Sequence, residues 1–455
     1  MSMRKSLIGL YDSPQGIEKN DEGYKVIQMR PNAGDLVYPA SGTQLVAGAA
    51  ENFDVWMFDG LSPEECNERY SRLVLFLPCR LVSPEMGNGW GAEAYQYVAN
   101  FIRHLKIPVV SAAESVFTAS NDYRSDFHRC LPEYIVDYLR AVSEQSVSIG
   151  TRGEYTAQVI RNLGIDNVEV VGCPSLFVNG PELPLSLLAK KPFEMLREVA
   201  MGYSNNTLNS ETLIAPMLQL AAERGYYFVE QHFSLLAKLL YWPQELKASD
   251  LEVGHHLYQG LEQVSRLLQQ RRVRYFTNYQ LWDEFCHGLD FMFGSRLHGG
   301  VMAINAGVPS YFISQDARVR EVCELYRLPC VAESEVRDQG IDVRRFYEQT
   351  DYSAACAVYP QLYRNYLGFL RRNGIEPQVD DQQCWLPWTK PEPAPGVIDE
   401  LHAQRSLYSN SKVALINTLL SGANAAQPLS DAQVANCTRV MSEAHALERF
   451  GLGLS

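Results

Sequence analysis

No C-x-x-C pair occurs among the ten cysteines of this chain. Zinc clusters and thioredoxin-like redox sites need such spacing, so neither is expected. Scattered thiols fit a reducing cytoplasm better than a disulfide scaffold, and the chain is read as cytoplasmic. Long apolar runs are also lacking. None approaches the ~20 residues of a membrane helix, and the apolar run in MSMRKSLIGLYDSPQG is too short for a signal peptide. Positive charge is in deficit, with 40 Lys plus Arg against 53 Asp plus Glu. That balance argues against a broad nucleic-acid surface and against docking on anionic lipid, while leaving room for a local basic pocket. No internal repeat beyond strand–helix units and no low-complexity tract is present.

At 455 residues the chain is long for one core, so two domains plus an extension are expected. The most informative stretch runs from Asp290 to Glu321, DFMFGSRLHGGVMAINAGVPSYFISQDARVRE. Asp290 to Phe293 is short and apolar, as a buried parallel strand should be. Gly294 and Ser295 break it. The pattern predicts a helix from near Gly299 to Gly307-Val308-Pro309, then a strand over Ser310 to Ile313. Arg296 and His298 therefore stand between a strand and a helix start. In open parallel sheets, ligands bind beyond the carboxyl ends of the strands. A helix N-terminus there offers N–H groups and partial positive charge. Arg296 adds a bidentate donor for carboxylate or phosphate, and His298 exchanges a proton near neutral pH. Gly299 and Gly300 leave the backbone open to close approach. These residues read as an anion site with a proton-transfer group beside it. A structural carboxylate on Arg296 and a helix-start role for His298 account for them equally well.

The segment GSRLHGGVMAINAGVPSYFISQDAR resembles the signature of the polysaccharide pyruvyl transferase family. The parts come in order: G-[ST]-R-[LI]-H-G at Gly294 to Gly299, A-G-[VT]-P at Ala306 to Pro309, then a strand and D-x-R at Asp316 and Arg318. Asn32-Ala33-Gly34-Asp35 is similar to a turn near the start of that family. The resemblance spans roughly residues 24 to 376 and is strongest over 274 to 321. It implies an α/β fold of two Rossmann-like domains with parallel sheets facing a cleft, similar to GT-B glycosyltransferases. It also implies a transferase that moves pyruvate from phosphoenolpyruvate onto a sugar as a ketal. The donor would then lie on Arg296, Leu297, His298, Gly299 and Gly300, with His298 and Arg296 as the catalytic pair.

The rest of the chain fits alternating strands and helices. Tyr24 to Met29 is read as the first strand, and a helix follows through Leu45. Asp35 either caps that helix or reaches the ligand. Strands are predicted at Phe53 to Asp59, Arg72 to Leu77, Ile107 to Ser111, Ser146 to Gly150 and Val168 to Val171. Helices are predicted at Ala92 to His104, Leu131 to Val142 and 154 to Leu163. Arg152 follows a strand and either faces the cleft or braces the helix. The Pro-spaced connector Val178 to Pro192 marks a domain boundary. Domains are accordingly read as 1–185 (acceptor side), 193–376 (donor side) and 377–455, a proline-rich linker and helical extension. After the strand at Arg197 to Met201, many family members carry Arg. This chain has Ser204 and Asn205, whose hydroxyl and amide bind oxyanions more weakly than guanidinium. His232 ends the strand Tyr226 to Glu230 and is a second acid–base candidate. Asp316 and Arg318 either shape the pocket or pair with each other.

The expected partners are phosphoenolpyruvate or another anionic donor and a saccharide acceptor. No nucleic acid, stable membrane insertion, metal or cofactor is expected. Residues 398–455 could pack back on the core, form a homo-oligomer contact or bind a partner. Two other functions compete: a nucleotide-sugar glycosyltransferase on the same scaffold, and a non-catalytic family member acting as a binding subunit.

Overall fold

Short apolar runs bounded by Gly, Pro and charge become strands where the alternation places them. The structure, a computed structural model, describes residues 5–10, 17–20, 23–26, 33, 34, 37, 38, 41, 42, 45, 53–56, 60–77, 81, 82, 91–118, 120–203, 213–232, 234–241, 246–276, 279–377, 416, 419, 420 and 429–439. The first half contributes β1 (Lys5–Leu10), β2 (Ile17–Asn20), β3 (Gly23–Val26), β4 (Phe53–Trp56), β5 (Tyr70–Phe76), β6 (Leu81–Val82), β7 (Val109–Ser111), β8 (Val116–Phe117), β9 (Ile149–Thr151) and β10 (Val168–Val170). β4-β1-β5-β7 is a parallel sheet, and β9 pairs with β10 in parallel. A parallel bridge from Glu114 to Thr151, with Ala113 and Glu114 N–H on the Gly150 carbonyl at 3.0 and 2.7 Å, joins the two.

This corrects the sequence reading at the N-terminus. Residues 23–26 form an antiparallel hairpin with 17–20, so the stretch Tyr24 to Met29 is not the first parallel strand. That strand is β1, held between β4 and β5. A run of six residues is ample for a strand.

The second half is an α/β unit with six parallel strands: β11 (Val199–Gly202), β12 (Tyr227–Glu230), β13 (Val273–Tyr275), β14 (Phe291–Gly294), β15 (Ser310–Ser314) and β16 (Cys330–Ala332). Their order is β13-β12-β11-β14-β15-β16. Counted within this unit, that is 3-2-1-4-5-6, which reverses direction between β11 and β14 and opens a crevice there. Every residue of the β11 and β14 strands is buried. Between β12 and β13 run three helices, Leu235–Tyr241, Ala248–Leu257 and Glu262–Gln269. No helix among the described residues is long and apolar enough to cross a membrane.

Two helices tie the halves together. Ser353–Arg372 starts against the second sheet and ends on the first. Phe177 lies among the Tyr326, Tyr359, Tyr363 and Tyr366 rings at centroid distances of 5.4–5.7 Å. Its end is fastened by Asn373, which exchanges hydrogen bonds with Ser148 before β9. The other is Ala317–Tyr326. Thr118 of the first half accepts from Ala317 N–H at 3.0 Å. The Tyr326 hydroxyl accepts from Cys173 N–H at 2.9 Å and donates to the Cys173 carbonyl at 3.1 Å. Glu321 crosses the junction to the helix Glu154–Arg161, whose N-cap, Gly153, has no side chain with which to cap it. Glu321 accepts from Thr156 N–H at 3.0 Å, Thr156 Oγ1 at 2.7 Å and Ser115 Oγ at 2.9 Å. A carboxylate of one half thus caps a helix of the other.

The extension packs back on the second half where it is described. Ile416, Leu419, Leu420 and Val434 join its core, and Asp431 accepts from Ala248 N–H at 3.0 Å. Ser430, just before the helical residues 431–439, accepts from Gln433 N–H at 3.4 Å.

Burial pushes the Glu321 carboxyl up to about 7 despite its three donors and nearby Arg152. From the ordinary 4.5 up to about 7, the folded chain keeps a proton that the unfolded chain has lost. This group's contribution to stability therefore falls as pH rises through that window. Urea unfolding at about pH 5 and about pH 7 should show the wild type losing up to about 1.4 kcal/mol per pH unit relative to Glu321→Gln. Parallel slopes would show that the carboxyl is not held in this way.

Candidate functional site

The crevice between β11 and β14 is built by a backbone that only glycine permits. Gly294 has φ +142°, and a Cβ there would stand 1.9 Å from the Gly202 carbonyl oxygen. This close approach lets Ser295 N–H bond the Gly202 carbonyl at 2.9 Å and turns the chain sharply into the helix Leu297–Asn305. Arg296 is its N-cap. The helix starts two residues before Gly299, so His298 lies in its first turn. Every residue of the helix is buried, as expected where it is covered by sheet and neighbouring elements.

The two glycines of this helix serve packing. A Cβ on Gly300 would meet Phe312 at 2.4 Å, and one on Gly299 would meet Met292 and the Gln231 amide at 2.7 Å. Gly300 N–H also donates to the Arg296 carbonyl at 3.3 Å. That corrects the expectation that Gly300 offers its backbone to a ligand: it is the first donor of the helical ladder, and the free donors of a helix lie ahead of it. Leu297 turns its side chain into the core and contributes only backbone to this end.

Four cationic or titratable side chains converge here from both halves. His298, 8% exposed, sits in the field of Arg152, Arg318 and Arg296. Burial, then these three guanidiniums in that order, hold its imidazole well below the ordinary histidine range, so it is neutral at physiological pH. Its Nε2 is buried without a hydrogen-bond partner among the described residues. Arg152 is fully buried and stacks 4.3 Å over the Tyr38 ring, and Tyr38 donates to the Ala112 carbonyl at 2.5 Å. Arg318 packs 4.8 Å over Phe117 and pairs with Asp316 at 3.0 Å, while Asp316 caps its helix through Val319 N–H at 3.0 Å. Asp316 and Arg318 thus pair locally, and the Arg318 charge also acts on His298.

Beneath the cluster, burial raises the Glu230 carboxyl, and Ser234 and Arg296 act against that rise. Glu230 accepts from Gln231 N–H at 2.8 Å, His232 N–H at 2.9 Å and Ser234 Oγ at 2.7 Å. This shapes the turn that carries Gln231 and the half-buried His232. Ala33, in the predicted N-x-G-D turn, donates its N–H to the Gln231 carbonyl at 2.7 Å, so that turn does reach the crevice. Asp35, Ser204 and Asn205 lie outside the described residues. Sequence reasoning passed over Glu230, Gln231, Glu321 and Tyr38. The only local signal was polarity at a strand end, in Glu230-Gln231-His232.

A separate cavity of about 700 Å³ opens beyond β15 and β16, lined among others by Asn121, Gln315, Arg320, Glu324, Glu333 and Arg337. Two of its ion pairs are internal, with Arg320 on Glu324 at 2.8 Å and Arg337 near Glu333 at 3.9 Å. The cationic field at His298 is of a different kind. No group of three or more potential metal-ligating side chains occurs among the described residues.

The fold defines an α/β protein with parallel sheets in both halves, and Arg152, Arg296, Arg318 and His298 from the two halves meet in one crevice. The family model for polysaccharide pyruvyl transferase matches residues 87–317, just over half of the chain. The chain belongs to that family and is a transferase acting in polysaccharide modification. No curated protein matches it. Among solved structures, HepE of Anabaena, crystallised with UDP and glucose, is 9% identical with a TM-score of 0.42, covering 81% of this chain and 98% of its own. The UDP-GlcNAc 2-epimerase of Neisseria meningitidis is 11% identical with a TM-score of 0.38, covering 81% and 100%. A Klebsiella pneumoniae protein described as uncharacterized is 15% identical with a TM-score of 0.32, covering 71% and 88%.

Three guanidiniums around one imidazole give a directional test. In the free protein, the NMR titration of His298 should have its midpoint below 6.5. Adding inorganic phosphate should raise it, because an anion offsets the cationic field. A free-protein midpoint at or above the ordinary value would show that the arginines do not face the ring.

Proposed function

We propose that this chain transfers pyruvate from phosphoenolpyruvate onto two hydroxyls of a saccharide as a ketal. The observation that carries this reading is the convergence of Arg152, Arg296 and Arg318 on neutral His298 at the carboxyl ends of the strands. A donor with one phosphate and one carboxylate needs several cationic contacts in a small space, and a dry crevice strengthens each of them.

In the proposed reaction C3 of the enol takes a proton and C2 becomes cation-like. The two sugar oxygens bond to C2, and the C2–O bond to phosphate breaks. The two hydroxyl protons balance the one gained at C3 and the one carried off by phosphate. The arginines hold the donor's oxyanions. His298 enters the cycle neutral and gains basicity as the anion offsets its cationic neighbours, which suits it to hold the phosphate or to carry one of these protons. The second half (193–376) holds the donor, and the first (1–185), through Arg152 and the Ala33 turn, closes the acceptor side. The protein works in the cytoplasm without a metal or cofactor.

The test is calorimetric binding of phosphoenolpyruvate, with phosphate release in the presence of candidate saccharides. Arg296→Ala should weaken donor binding roughly 10- to 100-fold, the loss of one or two charge-assisted hydrogen bonds. Failure of the folded wild type to bind phosphoenolpyruvate, together with binding of a nucleotide-sugar, would replace this reading with glycosyl transfer.

A further inference from the structure

Gln231 is 2% exposed, yet its Nε2 has no hydrogen-bond partner among the described residues. A buried amide is a poor choice for a core position unless something completes it. Its placement identifies what that is. A Cβ on Gly299 would come within 2.7 Å of Nε2, and one on Gly202 within 3.3 Å. The amide therefore occupies the crevice between the end of β11 and the first turn of the helix Leu297–Asn305. First-turn N–H groups of a helix lie outside its ladder and, with the helix dipole, favour an anion. The Gln231 backbone is fixed on both sides. Glu230 accepts its N–H at 2.8 Å, and its carbonyl accepts from Ala33 N–H of the first half at 2.7 Å.

We propose that the Gln231 side-chain amide is a substrate-binding donor, completing with Arg296 and the helix N-terminus a cradle for an oxyanion of the donor substrate. This rests on the reading of the crevice as the donor site. An amide at this point adds direction without charge, so it can orient the anion without further depressing the His298 imidazole. Because the turn is clamped from both halves, the amide is in place only when the halves are docked.

The experiment compares phosphoenolpyruvate and inorganic phosphate binding by calorimetry in the full chain for wild type, Gln231→Met and Gln231→Glu. Methionine keeps the volume and removes the donor, and glutamate replaces it with a negative charge. Gln231→Met should bind both probes about tenfold more weakly with an unchanged melting temperature, and Gln231→Glu should bind more weakly still. Wild-type affinity in a folded Gln231→Met would overturn the proposal. If Gln231→Met fails to fold, Gln231→Asn, which withdraws the amide by one methylene, should show the same weakening, and unchanged binding there would equally overturn it. A wild type that binds phosphate but not phosphoenolpyruvate, with phosphate binding still sensitive to Gln231→Met, would sustain the oxyanion role and remove the pyruvate donor. A folded wild type that binds neither probe would overturn both.

Discussion

A carboxylate buried between two α/β units organises this molecule. Glu321 belongs to a helix of the second half and caps a helix of the first, where the native N-cap is a glycine. A Cβ on Gly153 would stand 2.7 Å from Glu321, so the absence of a side chain at one position makes room for the side chain that replaces its function. Thr118 answers in the opposite sense by accepting from the first N–H of the Glu321 helix. Each half thus supplies an acceptor to a helix start of the other, and these bonds help to hold the two halves together. The crevice depends on their placement, since Arg152 and the Ala33 turn come from one side and Arg296, His298, Arg318 and Gln231 from the other.

The crevice concentrates unfavourable electrostatics. Arg152, Arg296 and Arg318 share a small volume around a histidine that they and burial keep neutral. Positive charge held away from water is costly unless paired. Glu230, Asp316 and Glu321 lie close to these arginines and offset part of the cost. An incoming anion would relieve more of it. Under the proposed function, the anionic donor would meet charges already gathered in one crevice, with no rearrangement needed.

Much of the scaffold was legible in the sequence. Strands such as Phe291–Gly294 and Ser310–Ser314, bounded by Gly and Pro, carry their period and their breaks locally. Helices such as Ala92–Arg103 show the spacing of a face buried on one side. The Gly294–His298 run marked the site because its residue types state their chemistry without reference to partners. β1 was missed, and its identity as a strand comes from β4 and β5 on either side. Gly300 was misjudged because a glycine that admits a ligand and one that admits Phe312 look the same in one dimension.

The sequence by itself determined the alternation of strand and helix, the placing of Arg296 and His298 between a strand and a helix start, and the family signature. Local propensity, turn chemistry and residue type suffice for these. Only the tertiary structure decided that Arg152 and Arg318 share the His298 environment, that Glu321 caps a helix more than a hundred residues away in sequence, and that the Gln231 amide stands in the crevice. Those relations arise from packing two sheets at their carboxyl ends, and burial, the field of one charge on another and the lack of a partner exist only once distant segments are adjacent.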